Sequence, residues 1–352
     1  MISFSQISVV MQGPILGRPD DALENQLTRR CAESVRKFLP GAELILSTWE
    51  GGNVQGIEYD VLLKSEDPGT VKSYCEKNTN LNRQLVSTQA GLKAATRSYV
   101  FKMRTDTVLT GNAFINLFEA FPRRATSHQI FSQRVLCWNM FTKNPARSRI
   151  GCYHTSDILS FGLANDIRLL WDIPIYLRSE DELKEDEWKM KQETVRETPI
   201  SYQVAEQYIW LQCINKKVPA CLPKQITPTE AALSDLYLAN NFIVLDTTQY
   251  GIEWKNAASI NRTLWSETYN HAEWQQLYQK YCDPKFRPAF SREMLKKRLL
   301  HVVRTRAAFL QRTYSWVYHK IVPDGEGRGP EPLGKAVWKR IKSLFGAHAG
   351  RS

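Results

Sequence analysis

Apolar positions recur along this chain with two periods. Short apolar runs end abruptly in polar residues and read as buried strands: ISVVMQGPI at 7–15, AELILSTW at 42–49 and YVFKM at 99–103, with YDVLLKSED at 59–67 a further candidate. Between them lie helical patterns. Residues 21–40 place apolar side chains at 23, 27, 31, 35 and 38/39, a stripe stopped by Pro40-Gly41. Residues 82–96 carry Leu85, Ala90, Leu92 and Ala95 among good helix formers, with Asn82 as the expected N-cap. This alternation predicts an α/β fold: a mostly parallel sheet flanked by helices on both faces. Ligands bind such sheets at the carboxyl ends of the strands. The polar strand ends Gln12-Gly13-Pro14, Ser47-Thr48-Trp49 and Arg104-Thr105-Asp106 are therefore expected on one rim.

Later segments are less regular. Phe131, Val135, Trp138, Met140 and Phe141 suggest strands, and residues 157–174 read as a strand, a turn at Gly162 and a helix from about Asn165. Residues 178–199 read as a charged insertion or lid, since 178–197 hold 8 acidic and 5 basic residues. A helix is expected over 200–217, and 240–282 is aromatic-rich. Beyond it, a long basic helix is expected from about Ser291. After the break PDGEGRGPEP, an amphipathic helix should present Leu333, Val337, Trp338, Ile341, Leu344 and Phe345 on one face.

Charge sharpens the division into a body, 1–284, and a basic helical tail, 285–352. The net charge is +11, yet from Lys285 onward there are 16 Lys and Arg against 4 Asp and Glu, while the body nearly balances at 31 against 32. The tail's aromatic and aliphatic face opposite Lys and Arg fits an anionic membrane surface. Nucleic acid is not expected, because no zinc-finger or RNP signature accompanies the charge. The N-terminus lacks a signal-peptide pattern, and no apolar run is long enough to span a membrane. Seven scattered cysteines without a CxxC fit reduced thiols in a cytoplasmic protein.

Several chemistries are excluded by motif. No GxGxxG follows the first strand, and no GxxxxGK[ST], GxSxG or HExxH occurs. The informative stretch is YVFKMRTD at 99–106. In a strand Lys102, Arg104 and Asp106 share one side, opposite Tyr99, Phe101 and Met103. Two cations and a carboxylate at a strand end can hold a diphosphate, with or without a hard divalent ion. The plainer alternative is a simple ion pair between Arg104 and Asp106.

The order Asn-Arg, a helix containing Gly-Leu, then a strand ending in Asp resembles nucleotide-sugar glycosyltransferases of the GT-A type. More narrowly, QGPI, ILSTWEG, NRQLVST, GL and KMRTD together are similar to the WavE lipopolysaccharide-synthesis family over residues 7–250. The resemblance implies a GT-A-like (Rossmann-like) domain. It puts Gln12 and Gly13 beside the donor's base and ribose, and Thr48 and Glu50 at the end of the second strand. Asn82 and Arg83 would meet phosphate at a helix start, and Lys102, Arg104 and Arg83 would stabilise the leaving diphosphate. Asp106 would bind Mg²⁺ or Mn²⁺, or the ribose. This sequence departs from the pattern in one place: Arg104 stands where the first Asp of Asp-x-Asp would stand, so Asp106 is the one remaining ligand. Asp157 and Glu206 are the alternatives for an acceptor-activating base, and His154 is a possible acceptor or metal contact. The implied function is sugar transfer from a nucleotide-sugar onto lipopolysaccharide core or a related glycolipid, at the cytoplasmic face of the inner membrane. A nucleotidyl- or phospho-transferase, or a non-catalytic membrane-binding module, are the rivals.

Overall fold

The computed structural model describes residues 2–72, 78–148, 150–176, 204–221, 223, 226–255, 262–303, 305 and 306. The expected lid at 178–199 and amphipathic helix at 333–345 lie outside these residues.

The strands are β1 (Ile7–Gln12), β2 (Glu43–Trp49), β3 (Val61–Ser65), β4 (Val71–Lys72), β5 (Asn78–Thr79), β6 (Tyr99–Arg104), β7 (Thr107–Leu109), β8 (Val135–Trp138), β9 (Ser160–Leu163), β10 (Phe242–Leu245) and β11 (Ile252–Trp254). Seven form one sheet in the order β10-β8-β9-β6-β1-β2-β3. All run parallel except β9, which is antiparallel to both β6 and β8. The fold is thus α/β with a mostly parallel sheet. β1 is buried along its whole length, as expected for a strand covered on both faces.

Of helices α1 (Leu27–Phe38), α2 (Leu81–Ala94), α3 (Phe114–Leu117) and α4 (Ala164–Trp171), α2 and α4 pack on this sheet, α3 meets β6 through Phe114, and α1 packs on β7. α2 sits so close that a Cβ at Gly91 would lie 2.4 Å from Val10 Cγ1, and Ser47 Oγ donates to Ser87 O at 2.7 Å. On the opposite face Phe101 stacks with Phe114 and Tyr250, at centroid distances of 5.0 and 6.3 Å. The two faces of β6 follow the parity read from its sequence.

Three local expectations change. Over the expected 21–40 the α-helix starts only at Leu27: Leu23–Asn25 form a single 3-10 turn, Gln26 Nε2 donates to the carbonyls of Pro19 and Asp21, and Leu23 is left 47% exposed. Asn82 is not an N-cap. It follows Leu81 inside α2, where Asn80 holds the N-cap position, and its buried amide pairs with the backbone of Tyr176. Gly162 is not a turn but lies within β9 opposite Val100, where a Cβ would come 3.3 Å from Val135 Cγ2.

The chain forms two compact units, Met1–Met294 and Leu295–Ser352. Residues 285–294 belong to the first: Phe286 packs on Phe121 and Tyr278, its carbonyl accepts from Gln279, and Met294 is buried. The basic helix begins at residue 292. Within the second unit Leu295, Leu299, Val302 and Val303 are exposed. No described helix is long and apolar enough to cross a membrane.

Candidate active site

The carboxyl ends of β1, β2 and β6 meet at a cavity of about 380 Å³. β1 ends at Gln12, whose buried Oε1 accepts from Ser87 Oγ at 2.8 Å. Gly13 then takes φ 130°, a region that favours glycine, and a Cβ there would meet Thr105 Oγ1 at 2.8 Å. Gly13 N donates to Ser47 O, Thr105 N to Gln12 O and Thr105 Oγ1 to Pro14 O, at 3.1, 3.0 and 2.7 Å. The three strand ends are thereby tied into one rim.

Two arginines line the cavity, and each is gripped by a carboxylate. Arg104 Nε and Nη2 donate to Asp106 Oδ1 and Oδ2 at 2.9 and 2.8 Å. Trp254 Nε1, brought close by the pairing of β11 with β7, adds a 3.2 Å bond to Oδ2. Arg83, in the first turn of α2, donates through Nε and Nη2 to Asp67 at 2.7 and 2.6 Å. Asp67 also accepts from Gly69 N, and Asn80 Oδ1 accepts from Arg83 Nη1. Each fork uses two of five guanidinium N–H donors for its carboxylate, so both arginines keep donors for a phosphate. The start of α2 contributes its positive dipole end to the same wall.

Gln84, also on that wall, donates to Asp157 O at 2.9 Å and links the cavity to a partly buried charged group. Lys102 belongs to this group and does not line the cavity. It is fully buried one repeat in from the strand end, donating to Asp157 O and Ile158 O, with Nζ 4.3 Å from the centre of the Trp171 ring. Burial pushes its amine down to about 7, against the pull of the Asp157 carboxylate. Glu206 opens α5 (Ala205–Asn215). Burial raises its carboxyl well above the ordinary range, the charge of Asp157 raises it further, and Lys143 opposes both. Asp157 also acts on Arg104, so one carboxylate couples the Glu206 region to the cavity.

The other residues singled out by sequence fall around this centre. Thr48 is buried, and its Oγ1 has no hydrogen-bond partner among the described residues. It lines an adjoining open groove, not the 380 Å³ cavity. Glu50 is exposed in the turn after β2 and lines neither. Asn82 is committed to Tyr176. His154 is buried beside Lys143, and burial with that charge pushes its imidazole down to about 3, so it is neutral. Trp49, expected on the rim but given no role by the sequence, lines both openings, whereas Asp67 and Gln84 were not anticipated. Nor was Trp254, which reaches Asp106 from 148 residues away.

The metal implied by an Asp-x-Asp pattern does not fit here. Both Asp106 oxygens already accept hydrogen bonds, one of them two, and the carboxylate is buried behind a guanidinium. A divalent ion about 5 Å from Arg104 would meet roughly 6–7 kcal/mol of repulsion at an effective dielectric near 20. Among the described residues no group of three His, Cys, Asp or Glu side chains could hold a metal.

Comparison with curated proteins returned no match. Among solved structures, a cytidylyltransferase from Leptospira borgpetersenii is 11% identical, covering 53% of this chain and 73% of that one, with a TM-score of 0.29. A glycosyltransferase involved in glycosylation of the major capsid of PBCV-1 is 13% identical, with coverages of 68% and 82% and a TM-score of 0.27. A 4-diphosphocytidyl-2C-methyl-D-erythritol synthase from Anaerococcus prevotii is 12% identical, with coverages of 66% and 96% and a TM-score of 0.28. Likenesses this low carry no functional argument. The family comparison is of another kind: the WavE lipopolysaccharide synthesis model matches residues 7–304, which spans the strand-end rim, both arginines and the Asp157–Glu206 region. The chain belongs to the WavE lipopolysaccharide-synthesis family.

Proposed function

We propose that this chain is a glycosyltransferase that moves a sugar from a nucleoside-diphosphate-sugar donor to a hydroxyl of a lipopolysaccharide-core glycolipid. The observation that carries this reading is the pairing of Arg83 and Arg104 on one strand-end cavity, whose wall residue Gln84 reaches the backbone of Asp157. The donor's diphosphate lies against the two guanidinium groups and the start of α2, and Trp49 offers a ring for the base. The acceptor oxygen attacks the anomeric carbon, the bond from that carbon to the diphosphate breaks, and the acceptor proton passes to Glu206. Charge growing on the departing diphosphate is taken up by the arginines. Glu206, whose carboxyl holds its proton well above the ordinary carboxylate range through burial and the Asp157 charge, is the candidate base.

Family membership supports the lipopolysaccharide end of the reaction. The exposed Leu295, Leu299, Val302 and Val303, with Lys296 and Arg298 between them in sequence, support docking on an anionic membrane face, which we propose is the cytoplasmic face of the inner membrane. The test is a thermal-shift series with UDP-, GDP-, CMP- and dTDP-sugars. Saturable stabilisation by one donor is expected, weakened in Arg83→Ala. If no nucleotide-sugar shifts the melting temperature, the donor assignment fails.

A further inference from the structure

Sugar-nucleotide sites with a carboxylate at this strand end invite a bridging metal, but the order of groups here is reversed. Both residues line the cavity, but the Asp106 side chain is 6% exposed and that of Arg104 is 37% exposed, so the cation presents much the larger open surface. Arg104 grips Asp106 through two parallel bonds, and Trp254 supplies a third donor to the same carboxylate. The remaining carboxylate on the cavity, Asp67, is held in the same way by Arg83 and by Gly69 N. Asp106 offers a divalent ion no open face; Asp67 is 40% exposed, but both of its oxygens already accept hydrogen bonds, and each carboxylate sits beside a fixed positive charge.

We infer that the donor's diphosphate is bound without a divalent cation: Arg104 supplies the positive charge at the end of β6, and Asp106 is a positioning residue that aims it. This inference rests on the nucleotide-donor reading above. The planar fork holds the guanidinium in one orientation and leaves three N–H donors for phosphate oxygens. Lysine cannot reproduce that, because an ammonium makes no planar two-bond contact with the carboxylate.

The experiment is calorimetric titration of the full-length protein with UDP, GDP, CDP and dTDP, in EDTA and again with Mn²⁺ or Mg²⁺. For the nucleotide that binds, Kd should agree within about twofold between EDTA and metal, since direct charge contacts need no bridging ion. Arg104→Met should weaken it by about tenfold or more, and Arg104→Lys should recover little of that loss. Asp106→Asn should weaken binding by a few-fold in the wild-type background, yet by almost nothing once Arg104 is already Met, because the two act as one unit. An equal loss in both backgrounds would overturn the positioning role. Binding that needs metal, or that metal tightens about tenfold or more, with Asp106→Asn abolishing the effect, would overturn the inference and leave the donor reading standing. If no diphosphate binds with or without metal, both fall.

Discussion

At Glu206 two effects point the same way: burial disfavours the carboxylate, and the Asp157 charge disfavours it again. A base of this kind loses its function as pH falls through its own raised pKa, so kcat should decline on an acid limb placed well above the value of about 4.3 that an ordinary glutamate would give. Glu206→Gln should lower kcat by about 10²-fold or more with donor KM little changed, as read by initial rates. The same shift bears on stability. In the unfolded chain the carboxyl returns to about 4.3, so between that value and the native one the folded protein binds the proton more tightly, and this stabilisation is lost as pH rises through the native pKa. Glu206→Gln cannot ionise and should melt above wild type at about pH 8 yet match it near pH 4 in calorimetric scans. Glu206 was visible in the sequence as an early helix residue after an acidic stretch. What raises its pKa was not, since Asp157 is brought to it only by the fold. Lys102 shows the reverse. Its side of the strand followed from parity, but its depth did not, because α4 and Trp171 that cover it lie some seventy residues on.

Among the elements, α2 connects core packing to the site. Its Gly91 lets the helix lie against Val10, and its first turn delivers Arg83 and Gln84 to the cavity. Gly91→Ala would force a methyl to within 2.4 Å of Val10 Cγ1, so the helix must lift. A loss of about 1–3 kcal/mol in denaturant unfolding is expected, together with weaker donor binding, even though Gly91 touches no ligand. A variant with wild-type stability would show that α2 adjusts freely. Gly13→Ala should also destabilise, by about 1–3 kcal/mol, through its φ of 130° and the contact with Thr105 Oγ1. The four parallel strands β1, β2, β3 and β6 were legible because each is a short apolar run ending in polar residues. β9 was legible only in part: its Gly162 reads as a turn locally, and only the neighbouring Val135 explains why a glycine sits in the strand. The closing pair of β11 with β7, which brings Trp254 to Asp106, has no local signal at all.

Over the whole molecule, charge and contact divide the chain at nearly the same place. The basic excess begins near Lys285, but Phe286 and Met294 pack into the first unit, which closes at Met294. If Leu295, Leu299 and Val303 meet lipid, replacing all three by Ser should reduce sedimentation with anionic vesicles by about tenfold without lowering the melting temperature, and neutral vesicles should bind weakly in either case. Unchanged binding would remove this helix from the membrane contact. The most direct test of the central proposal is product analysis. The protein is incubated with the stabilising nucleotide-sugar and a truncated lipopolysaccharide acceptor, and the released nucleotide and the glycolipid are measured together. The expected result is one nucleoside diphosphate released per sugar transferred, with both signals lost in Glu206→Gln. Pyrophosphate release, or an acceptor that gains no sugar while the protein binds donor, would contradict it.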